Sequence, residues 1–134
     1  MKKTYIASCH CGNVRVEADV DLSQGSGRCN CSICSRKRNW SVSVDPQDFR
    51  LLSDEAAAGD YQFGSMSAHH RFCKNCGIHV YGHGYIEEIG GEFRSLSIAC
   101  IENITAEELA AIPVQYVGGR GDNWWNPPKV TAYL

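Results

Sequence analysis

Cys73-Lys74-Asn75-Cys76-Gly77 is a Cys-x-x-Cys-Gly turn, and it is the last of three tight cysteine clusters in this 134-residue chain. The other two are Cys9-His10-Cys11 and Cys29-Asn30-Cys31-Ser32-Ile33-Cys34, so seven of the eight cysteines lie in clusters. Zn²⁺ takes four nitrogen or sulfur ligands in a tetrahedron, and no single cluster supplies four. The first and last clusters together offer the four thiolates of a closed structural site: Cys9, Cys11, Cys73 and Cys76. The middle cluster offers Cys29, Cys31 and Cys34 and leaves a fourth position free, as catalytic zinc sites do.

Disulfides and buried core thiols are the alternative interpretations of these cysteines. The chain begins Met1-Lys2-Lys3, but the apolar stretch that follows is too short for a secretory signal. No segment approaches the ~18 consecutive apolar residues of a membrane span. We therefore expect a soluble, cytoplasmic protein whose thiols stay reduced and bind two zinc ions, with no membrane partner. The pairing of the clusters stays open, because ligand sets from different clusters can interleave.

Length and charge limit the function classes. The 134 residues fit one domain, 1–134, with a modest core that zinc would reinforce. The formal net charge of -2 gives no general attraction to nucleic acid, which usually binds a basic face with interleaved aromatic side chains. The only local basic run is Arg36-Lys37-Arg38, directly after the middle cluster. We expect no nucleic-acid partner.

Short alternating runs predict a mainly β fold. Apolar and polar residues alternate between turn-forming residues in four runs: 14–18, 40–44, 49–52 and 93–99. One short helix is predicted near 105–112, where Thr105 and Glu108 form a capping box and Pro113 ends the element. A second helical signal, weaker than this one, covers 54–58.

The first and last cysteine pairs fall in turns between predicted strands. Each pair is followed closely by a glycine, Gly12 or Gly77, which supplies the positive φ of such a turn. In turns of this kind, backbone N–H groups point at the thiolate sulfur. Both pairs are typical of zinc knuckles.

Three stretches together resemble the glutathione-dependent formaldehyde-activating enzyme family, which includes centromere protein V. They are Ser8 to Gly12, Cys29 to Lys37, and Arg71-Phe72-Cys73-Lys74-Asn75-Cys76-Gly77-Ile78-His79-Val80-Tyr81, and the similarity spans nearly the whole chain. The resemblance implies a β-tent fold, a structural zinc on the four outer cysteines and a catalytic zinc on the middle three. It also implies a carbon–sulfur lyase that acts on glutathione and formaldehyde.

The residues support that chemistry independently. An open three-thiolate zinc lowers the pKa of a bound substrate thiol from ~8.5 and so provides a thiolate nucleophile for an aldehyde at neutral pH. Running the reaction backward cleaves a carbon–sulfur bond. Arg36, Lys37 and Arg38 are the candidate ligands for the carboxylates of a glutathione-like thiol, and a solvated turn is the alternative.

Four further residues leave alternatives open. His79 is a base or fourth ligand of the middle site, although a packed or surface strand histidine is the more ordinary interpretation. Cys100 is either a fourth thiolate that closes the middle site or, as we prefer, a core residue. Trp124 and Trp125 line a binding site or, as we prefer, cover the core.

A non-catalytic, zinc-stabilised protein-binding scaffold is the alternative function, because a fold by itself does not determine function. The fourth position of the middle site separates the two: an enzyme leaves it exchangeable and a scaffold fills it with protein. The substrate thiol and aldehyde and the oligomeric state lie beyond what the sequence indicates.

Overall fold

Two β-sheets built from ten short strands form the protein in this computed structural model, which describes all 134 residues. The strands are β1 Lys3–Ser8, β2 Arg15–Val20, β3 Ser26–Cys29, β4 Ser41–Val44, β5 Phe49–Leu51, β6 Ala58–Tyr61, β7 Ala68–Cys73, β8 His79–Ile86, β9 Gly91–Ser97 and β10 Val114–Val117. The mainly β prediction is confirmed, and each of the four predicted runs contains or overlaps a strand.

The smaller sheet has the order β1-β2-β5 and the larger one the order β10-β3-β4-β9-β8-β7-β6. All the strand pairs are antiparallel except β10 with β3, which run parallel. Because β3 ends at Cys29 and β10 at Val117, its register partner, the segments that follow these two strands start side by side.

The core lies between the sheets. In β2 the side chains of Val16, Ala18 and Val20 are buried and alternate with more accessible ones, as a strand with one covered face requires. They belong to one hydrophobic cluster with Val42, Leu96 and other residues of the larger sheet. The loops at 9–12 and 73–77, which begin at the ends of β1 and β7, lie next to each other.

Two α-helices are present, α1 Ser32–Lys37 and α2 Ala106–Ala111, so the prediction of a single short helix is wrong. The α2 helix lies where it was predicted, and the Thr105 hydroxyl accepts a hydrogen bond from the Glu108 N–H at 3.1 Å. The α1 helix has only six residues, and Cys31 at its start makes no side-chain cap, so neither periodicity nor a capping residue marks it in the sequence. The weaker signal near 54–58 corresponds to a 3₁₀ turn, Glu55–Ala57. Neither α-helix is long and apolar enough to cross a membrane.

Candidate metal centres

Four cysteines from two distant turns form the first cluster. The sulfurs of Cys9, Cys11, Cys73 and Cys76 all lie within 4.8 Å of one another. The Cys11 sulfur is 3.7 Å from that of Cys9 and 3.5 Å from that of Cys73. In a tetrahedral zinc site with Zn–S bonds of about 2.3 Å, neighbouring sulfurs lie about 3.8 Å apart. The separations and the all-thiol donor set therefore fit a zinc ion.

Backbone geometry orients these thiols. Gly12 and Gly77 have φ values of 86° and 80°, in the left-handed region that glycine adopts without strain. The N–H of Val14 donates to the Cys9 sulfur at 3.2 Å, and the N–H of Asn75 donates to the Cys73 sulfur at 3.3 Å. These are the N–H to sulfur bonds expected of zinc knuckles.

The Cys76 thiol shows the electrostatic result of this geometry. Its pKa is lowered to about 6, first by the backbone N–H of Ile78 and then by that of Cys11. The turn thus favours a thiolate before any cation is bound, because N–H dipoles stabilise the charged form.

Three cysteines form the second cluster, where β3 leads into α1. The sulfurs of Cys29, Cys31 and Cys34 lie within 4.8 Å of one another, and all three residues are half-buried. The Cys31 N–H donates to the Cys29 sulfur at 3.4 Å. No fourth histidine, cysteine or carboxylate joins this group, so the protein itself supplies three ligands.

The closeness of these thiols shifts the pKa values of Cys31 and Cys34 in opposite directions. The Cys29 thiol, followed by Cys34, lowers the pKa of Cys31. The pKa of Cys34 is raised, first by Cys29 and then by Cys31. One negative charge is therefore concentrated at Cys31, and a divalent cation is what would allow all three to become thiolates.

Cys100 does not belong to this group. Its thiol lies 3.5 Å from the His79 carbonyl oxygen, and the residue is half-buried against the hydrophobic core. Burial raises the pKa of its thiol, as it does for a core cysteine. The structure thus places Cys100 in the packing role.

Lys37 and two histidines lie next to the three-cysteine group. The Lys37 ammonium is 3.3 Å from the His79 Nε2 and 3.5 Å from the His70 Nδ1. Burial, and then the positive charge of Lys37, lowers the pKa of His79 to about 3, so His79 is a neutral hydrogen-bond acceptor at pH 7. Burial also lowers the pKa of Lys37, while Cys34 and then Cys31 act in the opposite direction. Lys37 forms no salt bridge with a carboxylate.

The basic run after the cysteines separates in space. The exposed Arg36 side chain donates back to the Ser32 carbonyl oxygen at 2.8 Å, along α1. Arg38, in a left-handed conformation with φ of 49°, lines a surface cavity of about 530 Å³ together with Lys37, His10 and His79. The structure thus brings Lys37 and Arg38 to one cavity that contains no carboxylate, and Arg36 does not line it.

The segment after β10 contains Arg120, which the sequence did not identify, and the two tryptophans whose role the sequence left open. Arg120 donates three hydrogen bonds to the cysteine turn and helix α1, two to Asn30 and one to Ser35. Trp124 lies over Gly119 on the Cys29 side of the cluster. Trp124 is 50% exposed and Trp125 is 82% exposed, so the prediction that the pair covers the core is wrong. The run of glycines beside paired tryptophans was the available signal, but composition does not show which surface a loop packs against.

The comparisons with known proteins agree with this arrangement. The family model described as glutathione-dependent formaldehyde-activating enzyme matches residues 4–117. A solved crystal structure of a Rhodobacter sphaeroides protein is similar in fold, with a TM-score of 0.69 and 27% sequence identity. The similarity covers 82% of this chain and 99% of that one. Both sets of clustered cysteines lie within the residues that the family model matches.

Proposed function

Because this chain belongs to the glutathione-dependent formaldehyde-activating enzyme family, we propose that it is a zinc-dependent carbon–sulfur lyase. The substrate would be a thiol–aldehyde adduct such as S-hydroxymethylglutathione, and the reaction its cleavage or its formation from glutathione and formaldehyde. One observation carries the proposal: three half-buried thiols form a cluster with no fourth protein ligand, while four other thiols of the chain form a separate, complete set. A metal site that serves only to stabilise the fold is usually complete, so a three-cysteine site without a fourth protein ligand favours catalysis.

We assign two zinc ions, one to each cysteine cluster. The four-cysteine cluster would hold a structural ion, and Cys29, Cys31 and Cys34 would hold the catalytic one. When bound there, zinc supplies a cation that stabilises a substrate thiolate at neutral pH. The two-sheet arrangement supports the β-tent assignment. The eight free cysteines favour a reducing compartment such as the cytoplasm.

The reaction conserves atoms without an external oxidant or reductant. In the forming direction the thiolate sulfur bonds to the aldehyde carbon, and the carbonyl oxygen takes up the proton that the thiol released. In the reverse direction the carbon–sulfur bond breaks and its electron pair returns to sulfur. The chain's task is to hold the thiol, to keep the anionic substrate in place and to limit the entry of water.

Lys37 and Arg38 are the residues that we propose for binding the substrate's carboxylates, with Arg36 as a weaker, peripheral contributor. Lys37 is a half-buried cation whose nearest polar side chains are neutral His79 and His70, so its charge is not neutralised by a carboxylate of the protein. A cation in that state attracts an anionic ligand. Glutathione has two carboxylates and fits this requirement.

Nuclear magnetic resonance exchange spectroscopy tests the function directly, because it measures how fast glutathione and its hydroxymethyl adduct interconvert. The zinc-loaded protein should accelerate the exchange well above the uncatalysed rate, and Cys31→Ser should abolish the acceleration. Lys37→Met should raise KM about tenfold, while Arg36→Ala, which removes the peripheral contributor, should raise KM by less than twofold. A folded, two-zinc protein that produces no acceleration would overturn the lyase proposal in favour of a binding scaffold.

A further inference from the structure

The segment Gly118–Trp124, here called the clasp, follows β10 and lies beyond the residues that the family model matches. It begins next to the three-cysteine cluster because β10 runs parallel to β3, with Val117 opposite Cys29. The Asn30 N–H donates to the Val117 carbonyl oxygen at 3.2 Å, which extends the pairing by one bond. The clasp therefore starts from a fixed point beside the first ligand of the cluster.

Arg120 fastens the clasp to the cysteine turn. Its backbone N–H donates to the Asn30 Oδ1 at 2.9 Å, and its Nε donates to the Asn30 carbonyl oxygen at 3.0 Å. Its Nη2 donates to the Ser35 hydroxyl, inside α1, at 3.0 Å. The planar guanidinium presents its donors in a rigid fork, so one side chain joins both ends of the turn that contains Cys31.

Two internal contacts shape the clasp. The backbones of Gly118 and Asn123 exchange two hydrogen bonds, of 2.9 Å and 3.0 Å. The Trp124 indole N–H donates to the Asp122 Oδ1 at 2.8 Å. Because the loop is closed and the indole is tied at its nitrogen, the six-membered ring keeps a defined position.

That position is next to Cys29. A methyl group built on Gly119 would lie 2.7 Å from the Cys29 sulfur and 2.6 Å from a carbon of the Trp124 six-membered ring. The Cys29 sulfur and the Trp124 ring thus both lie against Gly119, where a residue with a β-carbon would not fit. Trp124 is 50% exposed, so its side chain is partly open to solvent while carbons of its six-membered ring lie against Gly119, next to the Cys29 sulfur.

We propose that Trp124 is a specificity-determining residue of the three-cysteine site. Its ring forms a wall beside Cys29 that admits the small hydroxymethyl group and excludes adducts of larger aldehydes. The inference rests on the proposed function for its substrate, and on the clasp contacts for its geometry. Steric exclusion of one extra carbon is worth roughly 10- to 200-fold in discrimination.

The test compares wild type, Trp124→Ala and the matched control Trp125→Ala, each as the zinc-loaded protein with its zinc content verified. Trp125 is the adjacent residue and is 82% exposed. The atoms nearest to the Gly119 β position belong to Trp124 and Cys29, and none belongs to Trp125. The first readout needs no turnover: the rates at which iodoacetamide and the bulkier N-phenylmaleimide modify Cys29, followed by peptide mass spectrometry. Trp124→Ala should raise the N-phenylmaleimide rate about tenfold relative to the iodoacetamide rate, and Trp125→Ala should leave the ratio unchanged.

The second readout is the exchange rate of glutathione with formaldehyde and with acetaldehyde. Trp124→Ala should raise the exchange rate with acetaldehyde, relative to the rate with formaldehyde, about tenfold. The proposal would be wrong, even for an active enzyme, if Trp124→Ala left the ratio of the two modification rates at Cys29 unchanged. It would also be wrong if Trp125→Ala changed that ratio as much as Trp124→Ala did. A changed ratio in a protein that converts neither adduct would support the wall and reject the proposed reaction.

Discussion

The cysteines of the two clusters differ in which groups shift the pKa values of their thiols. In the four-cysteine cluster the backbone supplies N–H donors to sulfur, and the pKa of Cys76 falls to about 6. In the three-cysteine cluster the thiols act mainly on one another, lowering the pKa of Cys31 and raising that of Cys34. This difference fits the proposed division, in which the four-cysteine cluster would hold a structural ion and the three-cysteine cluster an ion with one exchangeable ligand.

Serine substitutions should separate the two clusters. Cys31→Ser should lose one zinc and remain folded, because its cluster lies within the end of β3 and the adjoining helix α1 and joins no distant segments. Cys73→Ser should fail to fold, because structural zinc in small domains contributes about 10–16 kcal/mol, as much as the whole stability of a domain. Metal content by mass spectrometry and circular dichroism measure both effects.

Cys100→Ser is the control for these variants, and it should retain two zinc ions, because Cys100 belongs to neither cluster. Loss of an ion from this variant, or two retained ions in Cys31→Ser, would contradict the assignment of ligands.

His79 should make the stability depend on pH. Its folded pKa of about 3 lies below the ordinary value of 6.5, so the unfolded chain takes up this proton first as the pH falls. Above pH 6.5 His79 is neutral in both states and the free energy of unfolding is not reduced. Between pH 6.5 and pH 3 the free energy of unfolding falls, by up to about 1.4 kcal/mol per pH unit, because only the unfolded chain binds this proton. Denaturant unfolding between pH 7 and pH 5 should therefore show a steeper loss in wild type than in His79→Gln. The cysteine thiols are common to both proteins, so parallel curves would count against this contribution.

At the scale of elements, a short helix points side chains that are adjacent in the sequence in different directions. The α1 helix turns the basic run so that Arg36 lies along the helix while Lys37 faces His79 and His70. Its end at Arg38, in the left-handed conformation, points the chain back toward the cavity. Consecutive residues of a helix lie about 100° apart, so three neighbours cannot share one pocket.

The other helix provides a test of local stability. Thr105→Ala should lower the free energy of unfolding by about 1 kcal/mol, because the Glu108 N–H loses its side-chain acceptor at the start of α2. Thr105→Ser should retain most of that stability, since its hydroxyl can accept the same bond. Urea denaturation measures both, and equal losses in the two variants would show that the methyl group, not the hydrogen bond, is what matters.

At the scale of the molecule, the four-cysteine cluster brings together two distant parts of the chain, which a bound ion would join. Its ligands come from the turns that end β1 and β7, strands of different sheets, and Cys11 and Cys73 are 62 residues apart. Closing so long a loop is entropically unfavourable, so a bond across it removes much of the freedom of the unfolded chain. The three-cysteine cluster, by contrast, lies within one turn and one helix.

Chelation should therefore remove zinc in two stages. Ligands of the first cluster include the buried Cys9 and Cys73, whereas all three ligands of the second are accessible to solvent in part. A chelator should strip one equivalent quickly with little change in circular dichroism, and the second slowly, together with unfolding. Release of both ions in a single phase would contradict this division of roles.

The sequence by itself determined that seven of the eight cysteines lie in three clusters, that the fold is mainly β, and where the capped helix α2 begins, because ligand spacing, alternation and capping are local patterns. Which clusters combine was left open by the sequence and was decided by the tertiary structure. The sequence did not show α1, which is too short for periodicity, or that Cys100 stays apart from the three-cysteine cluster. Only the tertiary structure separated Arg36 from Lys37 and placed Trp124 against Cys29, outside the core. The position of Trp124 depends on the parallel pairing of β3 with β10, in which Cys29 is the register partner of Val117, far away in the sequence. Which distant segments share an edge is decided by packing of the whole sheet, and no local pattern contains it.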